Sequence, residues 1–254
     1  MIVNSQGFGH FTQNINNQDF AYETPRMLLV LDGCSGAKYA EVGVKLFAQL
    51  FSRKEEKENV DKFESNVKDI FDELIESMKK FYPNPTELEE KFIMENLLFT
   101  IIACFDVGDK YIVKMFGDGY IITQNMCNMI SYMRFSYGSC PPYFAYTYCK
   151  NVDIFEGYSF KTFEFSKKLF KKVGIASDGI LPIVKGKINI DDCIVRGDKT
   201  SIDLEIKLNH RNFYDDVTMA FLRFTNNLGG KRDEENKGSF SENTSSECAK
   251  QRSY

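Results

Sequence analysis

Several aspartates stand at the ends of apolar segments, where a charged side chain is costly unless something compensates it. Five share this position: Asp19, Asp32, Asp118, Asp178 and Asp215. Asp32 directly follows the apolar run of residues 27–31, which has the composition of a buried strand. A carboxylate there requires a metal ion, a cationic partner or the N–H groups of a helix terminus.

The residues around these aspartates favour a hard metal ion. No histidine or cysteine directly adjoins any of the five, and oxygen-only ligand sets suit Mg²⁺ or Mn²⁺. The two histidines, His10 and His210, are too few for a zinc hydrolase site built from several histidines. The seven cysteines include no Cys-x-x-Cys pair, which argues against a zinc site or disulfide framework and favours a reducing compartment.

Composition and charge narrow the classes of partner. The chain has 254 residues, with 43% hydrophobic and 27% charged residues, as is ordinary for a soluble globular protein. Its net charge of −4 gives no electrostatic case for binding nucleic acid. No apolar run approaches the roughly 20 residues of a membrane helix. We therefore expect a cytoplasmic monomer without a nucleic-acid or membrane partner.

The first half of the chain predicts strands followed by two helices. Residues 1–32 have the pattern of three short strands. Residues 39–51 and 60–78 each place apolar side chains at helical spacing, with Tyr39, Val42 and Leu46 included in the apolar face of the first helix. Helices that are apolar on one side are expected to cover a sheet.

The second half predicts mainly antiparallel strands. Residues 97–134 read as a four-strand meander with hairpins at residues 108–109 and 117–119. Residues 159–165 and 172–177 are expected to form a strand pair, and residues 217–224 the last strand. The aromatic residues at 143–146 are expected in the core.

These elements predict an α+β domain, a two-layer antiparallel β-sandwich flanked by α-helices. We assign residues 1–225 to this domain. Residues 226–254 are rich in Asn, Gly, Ser, Lys and Glu and poor in large apolar side chains, so we expect a disordered polar tail there.

The aspartate motifs together carry a family resemblance. In chain order they are Gln18-Asp19, Leu31-Asp32-Gly33-Cys34-Ser35-Gly36, Phe116-Gly117-Asp118, Ala176-Ser177-Asp178-Gly179-Ile180 and Asp215-Asp216-Val217-Thr218. This order resembles the metal-dependent protein phosphatases of the type 2C (PPM) family, particularly its bacterial-style members, over residues 7–224. Each short motif alone is weak, and the specificity lies in five of them in order.

The resemblance implies a hydrolase acting on phosphoserine and phosphothreonine in protein substrates. It also implies a site in which two ions, Mn²⁺ or Mg²⁺, activate a bridging water. Asp32 would bridge the ions and the Gly33 carbonyl would bind one of them, while Asp178 and Asp215 would bind metal. Asp19 would act through metal-bound water, and Asp118 would lie near an additional, weaker position.

Three departures from the family pattern bear on the chemistry. No arginine precedes Arg26, so His10 stands nearest the place of the family's phosphate-binding arginine. His10 either contacts the substrate phosphate or is an ordinary surface or core histidine. Cys34 stands where many members have a histidine proposed as general acid. Pro182 replaces an acidic residue that helps to bind a third ion, which argues against that ion.

Ordinary turns and other activities compete with this reading. Asp109 is expected to be a plain turn residue, and Asp118 alone could be either a turn residue or a ligand. The resemblance favours Asp215 over Asp216 as the ligand, because the second position of this motif in the family usually faces outward. A phosphatase-like binding module with little or no activity is the main alternative, and a metal-dependent hydrolase of other phosphoesters is a third.

Overall fold

The computed structural model describes residues 1–80, 85–136, 141–150, 152 and 158–222. The strands are β1 (Ile2–Ser5), β2 (Phe20–Glu23), β3 (Met27–Gly33), β4 (Phe99–Val107), β5 (Lys110–Phe116), β6 (Gly119–Asn125), β7 (Ile130–Phe135), β8 (Lys161–Ser166), β9 (Phe170–Ala176) and β10 (Val217–Phe221). The helices are α1 (Phe8–Gln13), α2 (Ala40–Arg53), α3 (Phe63–Lys79), α4 (Pro85–Asn96), α5 (Leu181–Val184), α6 (Asp191–Arg196) and α7 (Lys199–Leu208).

The strands form two antiparallel five-stranded sheets, which confirms the predicted α+β sandwich. One sheet has the order β1-β10-β9-β6-β7 and the other the order β2-β3-β4-β5-β8. The position of β3 between two apolar layers explains why its sequence is a continuous apolar run rather than an alternating one. Met27, Leu29 and Leu31 pack in the cluster that includes the helices, whereas Leu28 and Val30 pack between the sheets. Both faces of the strand are therefore buried.

Helices cover the outer face of each sheet. α2 and α3 bury Phe47, Phe51 and Phe71 against β3 and β4. The helices after β9 bury Ile194, Ile202 and other apolar side chains against the other sheet. Among the residues that the structure describes, none of the helices has the length and apolar content needed to span a bilayer.

The apolar face of α2 is rotated from its predicted position. Ala40, Gly43, Val44, Phe47, Ala48 and Phe51 are buried, whereas Tyr39, Val42 and Leu46 are exposed by about 40%. Gly43 explains the rotation, because a Cβ atom there would lie 1.7 Å from the carbonyl oxygen of Asn96. The helix thus approaches the end of α4 through its smallest residue.

Two predicted strand connections are wrong. The turn at residues 117–119 is not a hairpin, since β5 and β6 lie in different sheets, and β8 and β9 do not pair with each other. Gly117 and Gly119 have φ angles of +103° and +141°, which glycine adopts readily, so the chain can bend sharply from one sheet to the other. The sequence also gave no sign of α1, which is only six residues long.

Several other predictions are confirmed within the described residues. Asp109 lies in the exposed turn between β4 and β5. Tyr143 is buried, and Phe144 and Tyr146 pack partly buried against the same core. The five described cysteines, Cys34, Cys104, Cys127, Cys149 and Cys193, are all free thiols. The predicted tail lies outside the described residues, so the domain boundary at residue 225 stays a prediction.

Candidate metal centre

The structure brings the five predicted aspartates together at one end of the sandwich. Asp19 and Asp32 lie at the adjoining ends of β2 and β3, which pair antiparallel. Asp178 follows β9 and Asp215 precedes β10, which also pair antiparallel. Asp118 occupies the sharp bend between β5 and β6. The charges of the other four carboxylates all act on Asp32, so the five share one site.

Burial and mutual repulsion make this site unfavourable for negative charge. Burial raises the pKa of Asp32 well above its ordinary value, and the charges of Asp19 and Asp178 raise it further. The pKa of Asp178 rises to about 6, chiefly through burial and then through the charge of Asp215. Burial also raises the pKa of Asp19, and the nearby Ser177 hydroxyl opposes this rise in part.

Within the described ranges, the carboxylates lack the close cations that would compensate them. In the described part of the chain, no lysine or arginine lies within ion-pair distance of any of the five; Arg134 on β7 acts on Asp118 and Asp178 only at longer range. Asp19 is 5% exposed, and its Oδ2 atom has no hydrogen-bond partner among the described residues. Such an uncompensated set of oxygens fits one or more divalent cations.

Position 33, at the end of β3, has room only for glycine. A Cβ atom there would lie 2.8 Å from the carbonyl oxygen of Gln18 and 3.0 Å from the Cβ atom of Ala40. The absent side chain therefore lets the segment carrying Asp19 pack directly beside Asp32. The predicted metal contact of the Gly33 carbonyl stays a prediction.

Asp216 has a different place from the one predicted. It is 1% exposed and faces inward, which overturns the expected outward orientation. Its Oδ1 accepts a hydrogen bond of 2.7 Å from the Gly7 backbone N–H, and its Oδ2 accepts one of 2.7 Å from the Gln18 N–H. Asp216 thus ties the first residues of the chain to the start of β10, while Asp215 beside it remains 40% exposed.

His10 lies on α1 between these two aspartates. Its Nδ1 is 2.9 Å from Asp216 Oδ2, without hydrogen-bond alignment, and its Nε2 is 3.5 Å from Asp215 Oδ1. The three side chains are close enough to hold an ion. However, both Asp216 oxygens already accept backbone N–H groups. His10 is 4% exposed, so the geometry favours a role in positioning Asp215, and the phosphate contact stays a prediction.

Sequence reasoning missed two further groups near the carboxylates. Tyr143 is buried near Cys34, and burial raises the pKa of its hydroxyl, which the charges of Asp32 and Asp118 raise further. Its aromatic segment was expected to be core, and nothing in the pattern indicated a hydroxyl at the site. Arg134 reaches the site only because β7 pairs with β6, with Arg134 opposite Tyr120.

The raised carboxylate pKa values predict a pH dependence for the metal-free protein. A carboxyl whose pKa rises on folding opposes folding above its folded pKa, and this cost disappears as pH falls below its unfolded pKa. For Asp178 the window runs from about pH 6 down to its ordinary value of 3.8. We expect the chelated protein to unfold at a higher temperature at pH 5.5 than at pH 7.5, and saturating Mn²⁺ to remove this difference. A chelated protein that loses stability as pH falls to 5.5 would contradict the repulsion.

The fold is similar to solved bacterial phosphatases. A bacterial serine phosphatase aligns with a TM-score of 0.62 and 15% identity, over 89% of this chain and 98% of the other. Stp1, a serine/threonine phosphatase of Staphylococcus aureus, has a TM-score of 0.59 and 17% identity, over 87% of this chain and 92% of its own. The catalytic domain of the serine/threonine phosphatase PstP, solved with two manganese ions, has a TM-score of 0.54 and 16% identity, over 87% and 95%.

Sequence comparisons add nothing to this likeness. No protein-family model matches the chain, and no curated protein is similar enough in sequence to align with it. At such low identities, similarity of structure establishes the fold. The chain has the type 2C phosphatase fold, the fold of the bacterial serine/threonine phosphatases to which it is similar.

Proposed function

We propose that the protein is a metal-dependent serine/threonine phosphatase that hydrolyses phosphoserine and phosphothreonine in protein substrates. The observation that carries the proposal is the convergence of five aspartates, without close lysine or arginine partners among the described residues, on a fold shared with such enzymes. Three costly carboxylates at strand ends, Asp32, Asp178 and Asp215, have no structural purpose that apolar residues would not serve better.

Two divalent ions, Mn²⁺ or Mg²⁺, fit this ligand set. Asp32, Asp178 and Asp215 would hold them, with Asp19, Asp118 and the Gly33 carbonyl as further ligands. The ions would supply a water nucleophile of lowered pKa and neutralise charge on the phosphoryl oxygens. PstP, which was solved with two manganese ions, supports this assignment.

The protein's own residues would orient the reactants. Asp216 and His10 would hold Asp215 in place through the contacts described above. Arg134, exposed beside the site, would attract the negatively charged phosphate that the carboxylates alone would repel. The Tyr143 hydroxyl, near Asp32 and Asp118, would help to keep the floor of the site ordered.

A cytoplasmic location and a monomeric state belong to the same proposal. The free thiols of the described cysteines fit a reducing compartment. The substrates we expect are phosphorylated proteins.

The test is hydrolysis of a phosphothreonine peptide in the presence of Mn²⁺ and in the presence of chelator. We expect turnover only with metal, and a loss of about 100- to 1000-fold in the Asp178→Asn variant, as for removal of one group that stabilises transition-state charge. Asp109→Asn is the matched control, because Asp109 undergoes the same chemical change in an exposed turn.

Two outcomes would contradict the proposal. A folded protein that binds Mn²⁺ by calorimetry but does not turn over the peptide would be the phosphatase-like binding module instead. Faster hydrolysis of nucleotides or small phosphoesters than of phosphopeptides would indicate a different phosphoester hydrolase.

A further inference from the structure

A basic cavity lies at the opposite end of the sheet from the carboxylates. It has a volume of about 750 Å³ and lies beside the first residues of β1 and β9 and the last residues of β6 and β10. Asp178 follows β9 at its other end, six residues beyond Lys172, which corresponds to about 20 Å along an extended strand. The cavity is therefore separate from the candidate metal centre.

Four cationic side chains line this cavity: Lys171, Lys172, Arg196 and Lys199. Among the described lining residues, Glu23 is the only carboxylate, and it already pairs with the amino group of Met1 at 2.6 Å. The concentration of positive charge is unexpected in a chain whose net charge is −4. It creates a local field that attracts anions.

Two of the lysines, Lys171 and Lys172, contact neutral acceptors and have no carboxylate partner among the described residues. Lys171 Nζ donates to the Asn128 side-chain oxygen at 2.7 Å, and Lys172 Nζ donates to the Ile194 carbonyl at 2.7 Å. Each ammonium has three donors, so both retain hydrogens for a ligand. Lys172 is only partly exposed, and burial lowers its pKa. A bound anion would restore the charge stabilisation that it lacks.

The remaining walls of the cavity suit a ligand that carries an apolar or aromatic group in addition to its phosphates. Ile2, Val195 and Leu222 supply apolar surface, and Gln124 and Asn128 supply amide groups. The volume lies within the range of small-molecule sites, about 300–1000 Å³. Four cations together with apolar surface and two amide side chains match a nucleoside di- or triphosphate in size and polarity.

We propose that this cavity binds a ligand carrying two or more phosphate groups. A soluble nucleotide and a phosphorylated lipid headgroup share this chemistry. The lipid alternative has a structural basis as well, because exposed Met126, Met129 and Leu169 lie on the neighbouring turns. Those turns are joined by a hydrogen bond of 3.2 Å between the Met126 N–H and the Leu169 carbonyl.

Calorimetric titration of the full-length protein with ADP, ATP and tripolyphosphate tests the proposal. The titrations are done with chelator, so that ions at the carboxylates cannot bind the phosphates, and are repeated with Mn²⁺ and ADP. Vesicles of cardiolipin, whose headgroup carries two phosphates, and phosphatidylcholine form a separate arm, measured by co-sedimentation. We expect the calorimetric titrations to show one soluble polyphosphate bound per chain, both with and without Mn²⁺. Co-sedimentation with vesicles is expected only if the natural ligand is a lipid.

Two charge reversals locate the site. Lys199→Glu and Lys171→Glu are each expected to weaken binding at least tenfold. Lys199 begins α7, where a glutamate is favoured by the helix dipole, so the first variant should fold normally. Lys187→Glu, which makes the same change at an exposed position outside the cavity, should bind as well as the unmodified protein.

The results separate the possibilities. Binding that the two cavity variants lose and Lys187→Glu retains supports the proposal, with the vesicle arm identifying the source of the phosphates. Absence of binding in every arm, or equal weakening in all three variants, would overturn it. Because peptide hydrolysis is measured separately, failure here leaves the proposed phosphatase activity unaffected.

Discussion

Replacing Asp32 with asparagine is expected to lower phosphopeptide hydrolysis by about 1000-fold while making the metal-free protein more stable. Asp32 senses the charges of the four other aspartates as well as its own burial, so its ionised form opposes folding when no metal is bound. Asparagine keeps the shape and removes the charge. Removing this charge repulsion is expected to add about 1–2 kcal/mol to the free energy of unfolding. This corresponds to about 2–8 °C in melting temperature for a domain of this size.

Two measurements on the Asp32→Asn variant test this trade-off. Thermal unfolding in chelator should show a higher melting temperature for the variant than for the unmodified protein. Mn²⁺ should raise the melting temperature of the variant less than that of the unmodified protein. Hydrolysis of a phosphothreonine peptide should fall by about 1000-fold. Asp109→Asn, in the exposed turn, should change neither quantity. A variant that melts lower in chelator would mean that protein groups, rather than a metal, compensate Asp32.

Replacing Asp216 with alanine is expected to lower both stability and activity. Its two oxygens accept the backbone N–H groups of Gly7 and Gln18, which would remain buried without partners. Each such loss costs about 1–3 kcal/mol, so a total of about 2–6 kcal/mol is expected for the two N–H groups. His10 and Asp215 would also lose their support.

Urea unfolding of the chelated protein measures this cost as a lower midpoint at unchanged slope. Asp216→Asn is the conservative variant, because its single oxygen can still accept one of the two N–H groups, and it should lose about half as much stability. Asp109→Ala should unfold like the unmodified protein. If Asp216→Ala kept its midpoint, the two hydrogen bonds would not hold the segment as inferred.

The strands and their connections show which parts of the fold the sequence pattern could predict and which it could not. The sequence pattern predicted all ten strands, and the signal is strongest in β3 and β4, because strands buried on both faces form nearly continuous apolar runs. The Gly117-Asp118-Gly119 segment indicated a turn, but a hairpin and a crossing between sheets use the same residues. The predicted pairing of β8 with β9 failed for the same reason.

In the candidate site too, some residues could be predicted from the sequence and others could not. Asp19, Asp32, Asp118, Asp178 and Asp215 were recognisable because each interrupts or borders an apolar segment. The outward orientation of Asp216, which the family resemblance implied, was wrong because the orientation depends on how β10 meets the N-terminal residues, and no local pattern encodes that packing. Arg134 and the Tyr143 hydroxyl were missed because only the pairing of distant elements brings them near the aspartates.

The bond between Gly7 and Asp216 joins residues 209 positions apart, and β1 completes its sheet only against β10. During synthesis at about 5–20 residues per second, roughly 10–40 s separate the emergence of these two partners from the ribosome. The aspartate cluster needs Asp178 and Asp215 as well, so a growing chain cannot form it early. Nascent or prematurely terminated chains would therefore carry neither the metal centre nor the activity proposed for it.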